Sequence, residues 1–152
     1  MNSIKVILQP TDFLEPAAQA HKAACELARQ QKAKLVVLHV TAKPVVSYIA
    51  NATELPQAEL QEKLWETLRC PRETEADVNV VHRVEEGNPV HQIVRVAKEI
   101  NADLIILGAH GPRGLLKWFT SNVIDHIIRE APCSVLMVKT PNAEPVPDSM
   151  PS

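Results

Sequence analysis

Short apolar runs recur along the chain, separated by longer segments in which apolar residues return every three or four positions. The first pattern predicts strands buried on both faces and the second predicts amphipathic helices. Ile4 to Leu8 is the first such run and stops at Gln9 and Pro10. A helix follows from Pro16, a favourable first helical residue, with Ala20, Ala24, Leu27 and Ala28 on one face. Leu35 to Val40 is the second strand. Residues Thr41 to Leu55 show no period and read as a loop. Leu60, Leu64 and Leu68 predict an amphipathic helix over residues 57 to 70, stopped by Pro71.

Val78 to Val84 is the third predicted strand. Pro89 opens a helix with Val90, Ile93, Val94, Ala97 and Ile100 inward, and Leu104 to Leu107 is the fourth strand, ended by Gly108. A last helix runs near Asn122 to Glu130 with Val123, Ile124, Ile127 and Ile128 inward, before a fifth strand, Ser134 to Val138. Strands alternating with helices predict an α/β fold: a doubly wound, five-stranded parallel sheet with helices on both faces and right-handed crossovers. Strand order does not follow from the pattern. Ligands of such sheets bind beyond the carboxyl ends of the strands, where strand order reverses, which directs attention to Pro10, Thr11 and Asp12 and to the loop after Leu107.

Composition narrows this picture. A length of 152 residues predicts one domain over residues 1 to 140, followed by a Pro-rich tail, 141 to 152, expected to be disordered. A net charge of −2 with mixed signs leaves no footprint for nucleic acid or an anionic membrane. No segment approaches the ~18 consecutive apolar residues of a membrane span, and the opening MNSIKVILQPTDF lacks a cationic leader, so a cytoplasmic protein is expected. Cys25, Cys70 and Cys133 are odd in number and widely spaced, which fits reduced thiols and no metal site. His39, His82, His91 and His126 are read as structural.

The chemistry is concentrated after strand four. Gly108-Ala109-His110-Gly111 is followed by nine residues and then by Ser121-Asn122 at the mouth of the last helix. Glycines let backbone N–H groups approach an anion, and a helix start offers unpaired donors and a positive dipole end, so phosphate fits both ends of the segment. The alternative is a plain strand-to-loop turn with Asn122 as an ordinary N-cap. Both readings are open on residue types alone. Asp12 likewise fits either a polar acceptor for a ligand or a turn residue. Arg113 and Lys117 are either phosphate contacts or solvated loop cations, and Trp118 and Phe119 either a lid or a partner surface.

This spacing resembles the universal stress protein family, whose pattern here is G-x2-G-x9-G-[S/T] before a helix and a P-x-x-V-L-x-V strand. Pro132 and Val135-Leu136-Met137-Val138 match, as do the opening KVILQPTDF and Leu38-His39-Val40, so the similarity spans residues 3 to 139. The resemblance implies a Rossmann-like fold of the adenine nucleotide alpha hydrolase type and an ATP or AMP site. Pro10, Thr11 and Asp12 would lie beside adenine and ribose, and Val40 near the base. Gly108, His110 and Gly111 would line the ribose and phosphate path, and Val123 would supply a helix N-terminal amide. Whether a divalent metal accompanies the phosphates is left open. The resemblance also implies a homodimer paired through the strand Ser134 to Val138, an edge that must otherwise be covered.

Two positions depart from the pattern: Ser121 stands where the family has glycine, and Asn122 where it has serine or threonine. Two functions therefore compete. One is a regulatory stress-response protein that acts by binding an adenine nucleotide, and the other is a protein-interaction module that has lost the phosphate site. HxGH, SGGxDS, GxxxxGK[ST] and GxSxG motifs are absent, so no catalytic residue is assigned, and slow ATP hydrolysis is the most enzymatic reading left.

Overall fold

The computed structural model describes residues 3–12, 18–41, 74–109 and 121–139. The expected helix over 57 to 70, the loop from residue 42 to Leu55, Cys70, the segment from His110 through Phe119 and the tail from 141 lie outside them. The described elements run β1 (Val6–Asp12), α1 (Ala18–Gln31), β2 (Lys34–Thr41), β3 (Asn79–Glu86), α2 (Pro89–Glu99), β4 (Leu104–Ala109), α3 (Ser121–Glu130) and β5 (Ser134–Lys139).

All five strands are parallel, in the order β3-β2-β1-β4-β5. The chain thus winds outward from β1 through β2 to β3, returns past β1, and winds the other way through β4 to β5. This is the expected doubly wound sheet, with its reversal between β1 and β4.

Side chains alternate between the faces, as the pleat requires. Ile7, Leu35, Val37, Leu104 and Ile106 pack under α1, while Leu8, Val36, Leu38, Val40, Ile105 and Leu107 pack under α2 and α3. The α1 contribution is small: Ala20, Ala24, Cys25 and Ala28 are all buried, so the helix backbone lies close to the sheet. α2 brings Ile93, Val96 and Ala97, and α3 brings Ile127. Ile128 departs from expectation. It is half-exposed, while Ile127 is buried and Val123 and Ile124 pack partly buried against the core.

Strand boundaries also depart from the apolar runs. β1 does not stop at Leu8 but continues through Gln9 and Pro10 to Asp12, because β2 pairs with it along that whole length, from Val6↔Lys34 to Asp12↔Val40. β4 continues through Gly108 to Ala109, held by β5 through Ala109↔Lys139. Helix ends follow local rules. Asn88 caps α2, its Oδ1 accepting from His91 N at 3.0 Å, with Pro89 as the first helical residue. α1 ends on Lys32 in the left-handed region (φ 55), where Ala33 N donates to Ala28 O at 2.8 Å. Asn101 (φ 54) ends α2 in the same way.

Candidate functional site

The site is built from the way β1 and β4 are joined. At their amino ends they are tied: Asp103 Oδ2 accepts from the backbone N–H of Lys5 (2.8 Å) and of Val6 (2.9 Å), and Asp103 N donates to Val6 O (2.8 Å). These backbone donors hold the Asp103 carboxyl below its ordinary range. The ladder between the two strands then covers Ile7↔Leu104 and Leu8↔Ile105 and goes no further. Beyond it β1 stays with β2 and β4 stays with β5. Pro10 falls in the parted stretch, where its missing N–H costs no bond to β4.

The reversal point therefore opens at its carboxyl end. The strand ends that flank it are Pro10 to Asp12 of β1 and Gly108 and Ala109 of β4. Asp12 stands in register with Val40 on β2. Thr11, in register with His39, turns its buried side chain to the α1 face, and Val40 is buried in the core under α2. Since β5 starts at the amino edge, with Ser134 opposite Leu104, the preceding α3 begins at the carboxyl edge. Its first residues are Ser121, the exposed Asn122 and Val123, whose side chain packs against the core. Strand ends and a helix N-terminus thus share one edge, an arrangement that suits an anionic ligand. His110, Gly111, Arg113 and Lys117 lie outside the described residues.

Beneath these strand ends, the α1 face carries a chain of polar side chains that periodicity reasoning missed. The Gln9 side-chain oxygen lies 2.8 Å from His21 Nδ1, and His21 Nε2 lies 3.0 Å from Glu75 Oε1 and 3.6 Å from Cys25 Sγ. The same Glu75 oxygen is 2.8 Å from His82 Nε2, while His82 Nδ1 is 3.1 Å from His39 Nε2. The His39 and His82 rings are stacked, with centroids 5.4 Å apart. Burial, followed by the nearby His82 and His21, lowers His39 to about 3 against the opposing pull of Glu75, so it is neutral. Burial alone would raise Glu75, but the hydrogen bonds from His21 and His82 outweigh it and lower the carboxyl to about 2, so it is ionised.

His39 and His82 fit the structural role expected of them, whereas His91 and His126 are exposed. The sequence signals that could have found part of the chain are Gln9 next to an apolar strand and His21 and Cys25 four apart on the small-residue face of α1. Glu75, in a turn, carried no such signal. Among the described residues, no group of three or more His, Cys, Asp or Glu is arranged to hold a metal ion. No described helix is long and apolar enough to cross a membrane. Among the described residues Cys25 and Cys133 form no disulfide, and burial raises the Cys133 thiol.

The chain is similar to known proteins over nearly its whole length. Universal stress protein MJ0531 of Methanocaldococcus jannaschii is 32% identical over 147 residues, covering 94% of this chain and 86% of the relative. The solved structure of hypothetical protein MJ0577 superposes with a TM-score of 0.67 at 28% identity, over 93% of this chain and 100% of that one. Two further structures show the same fold. One is a universal stress protein in complex with cAMP (TM-score 0.60, 21% identity, 91% and 99% covered). The other is a universal stress protein from Archaeoglobus fulgidus in complex with dAMP (0.54, 19%, 91% and 100%). The Universal stress protein family model matches residues 3–139. Motifs, sheet order and relatives agree, and the chain belongs to the universal stress protein family.

Proposed function

We propose that this protein is a small regulatory protein of the stress response that binds an adenine nucleotide, ATP or AMP, at the carboxyl edge of its sheet. Binding, rather than turnover, is the event that changes its conformation or its partners. The observation that carries this reading is the parting of β1 from β4 beyond Leu8 and Ile105, with the N-terminus of α3 at the same edge. An adenine and ribose would sit by Pro10, Thr11, Asp12 and Val40, and phosphates would run past Gly108, His110 and Gly111 toward Asn122 and Val123. The adenine nucleotides in the cAMP and dAMP complexes of two relatives support the ligand class.

Ser121 and Asn122 favour a second reading, a protein-interaction module without nucleotide. Ser121 adds a Cβ where the family has glycine, and Asn122 lacks the hydroxyl. Isothermal titration with ATP and with AMP separates the two. Saturable heat at micromolar to millimolar nucleotide supports the first reading. No heat and no thermal shift at millimolar nucleotide would leave the second.

In either reading we place the protein in the cytoplasm as a homodimer joined through β5. That strand ends the sheet, and Leu136 on it and Ile128 on α3 are both exposed large apolar side chains. Light scattering that gives a monomer mass would overturn the dimer.

A further inference from the structure

The Gln9–His21–Glu75–His82–His39 chain is more than filling for the core, because on the α1 face it ties the edge strand β3 and the turn before it to α1, β1 and β2. Among the described strands, β3 ends the sheet and pairs only with β2. An edge strand with one neighbour belongs to the low-stability end of a fold and opens before the central strands. The turn in front of β3 is held by side chains rather than by a ladder. Arg29 on α1 donates from Nη2 to Thr74 O (3.1 Å) and Ala76 O (3.0 Å), while His21 and His82 converge on the Glu75 carboxylate between them. Separating β3 from β2 breaks the contact of His82 with His39.

Closure constrains the charge of the buried group. His39 lies wholly inside, and the described titratable groups that face it are His82 from β3, His21 from α1 and Glu75 from the turn. Cys25 on α1 lies against His21, and Gln9 and Thr11 on β1 are polar but do not titrate. Placing a charge on His39, away from water and beside His82 and His21, is unfavourable. In the open form His39 meets water and binds a proton as an ordinary histidine does.

We propose that β3 and the turn carrying Glu75 form a proton-operated clasp on the α1 face of the sheet. Closed, it holds His39 neutral and buried; open, it lets His39 take up a proton, so acid favours release of this edge. The proposal does not depend on nucleotide binding. One proton taken up with an ordinary histidine affinity makes opening about tenfold more populated at pH 5.5 than at pH 7.5.

Hydrogen exchange of the β3 amides, corrected for the intrinsic pH dependence of exchange, tests it on the whole chain. In the unmodified protein, β3 amides are expected to exchange faster than those of β4 at pH 7.5 and to lose about another tenfold of protection at pH 5.5. In His39→Gln, which keeps a polar group facing His82, the acid-dependent loss disappears. In Glu75→Gln, β3 exchanges faster at pH 7.5 yet keeps the tenfold acid gain, since His39 is still buried. Exchange of β3 in step with β4 at both pH values overturns the proposal. So does a corrected β3 protection that is independent of pH, or a His39→Gln protein that retains the acid response.

Discussion

His39 on β2 and His82 on β3 lie face to face, Nε2 of the first 3.1 Å from Nδ1 of the second, with the ionised Glu75 on the far side of His82. Burial and the two neighbouring histidines lower His39 to about 3, from 6.5 in the unfolded chain. A histidine that is harder to protonate in the fold leaves the unfolded state binding more protons, so stability rises with pH and is lost as pH falls. The contribution is complete above pH 6.5 and is lost progressively down to about 3. Between pH 7.5 and pH 5 the loss from this one group is about 2 kcal/mol. Urea denaturation at the two pH values measures it, and His39→Gln is expected to shrink the difference by that amount.

Glu75 acts in a lower window. Its carboxyl is held at about 2 by His21 and His82 against an unfolded value of 4.5, so its contribution is present above pH 4.5 and lost as pH falls toward 2. Glu75→Gln removes the charge from two hydrogen bonds and is expected to lower stability at pH 7 by about 1–3 kcal/mol. The same variant should lose less stability than the unmodified protein between pH 4.5 and 3. Urea midpoints at these three pH values check both statements.

Asp103 ties β1 to β4 with its side chain, and Asp103→Ala leaves the N–H groups of Lys5 and Val6 to water. With a net loss of about 1 kcal/mol, Tm should fall by about 2–4 °C in a thermal melt.

Lys32 ends α1 with φ 55, a conformation that strains a side chain and suits glycine. Relief of that strain exceeds the entropy glycine adds to the unfolded chain. Lys32→Gly is expected to raise Tm by about 2 °C. An unchanged or lower Tm would show that the Lys32 side chain contributes to stability in its own right.

If the α3 N-terminus receives phosphate, Ser121→Gly restores the family's bare backbone there. ATP affinity should then tighten roughly threefold to tenfold by titration calorimetry, about 0.7–1.4 kcal/mol. Unchanged affinity in a protein that binds ATP would move the phosphates away from residue 121.

The architecture was legible because it follows from burial alone. LVVLHV and LIILG are apolar without alternation, as strands covered on both faces must be, and Pro89 and Asn88 marked a helix start by local chemistry. Strand ends were less legible. Gln9, Pro10 and Gly108 look like breakers along the chain, yet β1 and β4 continue through them because a neighbouring ladder and, for Gln9, a partner on α1 satisfy them. Gly108, Pro10 and Thr11 could be placed at one edge from motif spacing. The polar chain could not, since its members are up to 73 positions apart, from Gln9 to His82, and only the fold brings them together. Ile128 was misjudged for a related reason: a periodic stripe marks the side that faces the sheet and not how deeply each residue on it is buried.

The tie at Asp103 lies at the opposite end of β1 and β4 from the strand tips, so the two strands diverge like tines from a common handle. Load and chemistry are thereby separated. The tines need not hold the handle together, and the rim at their tips, where Ser121 and Asn122 open α3, is free to change residue by residue without loosening the sheet. Such a scaffold lets one fold be retuned for new ligands, or relieved of them, by changes confined to a few positions at its rim.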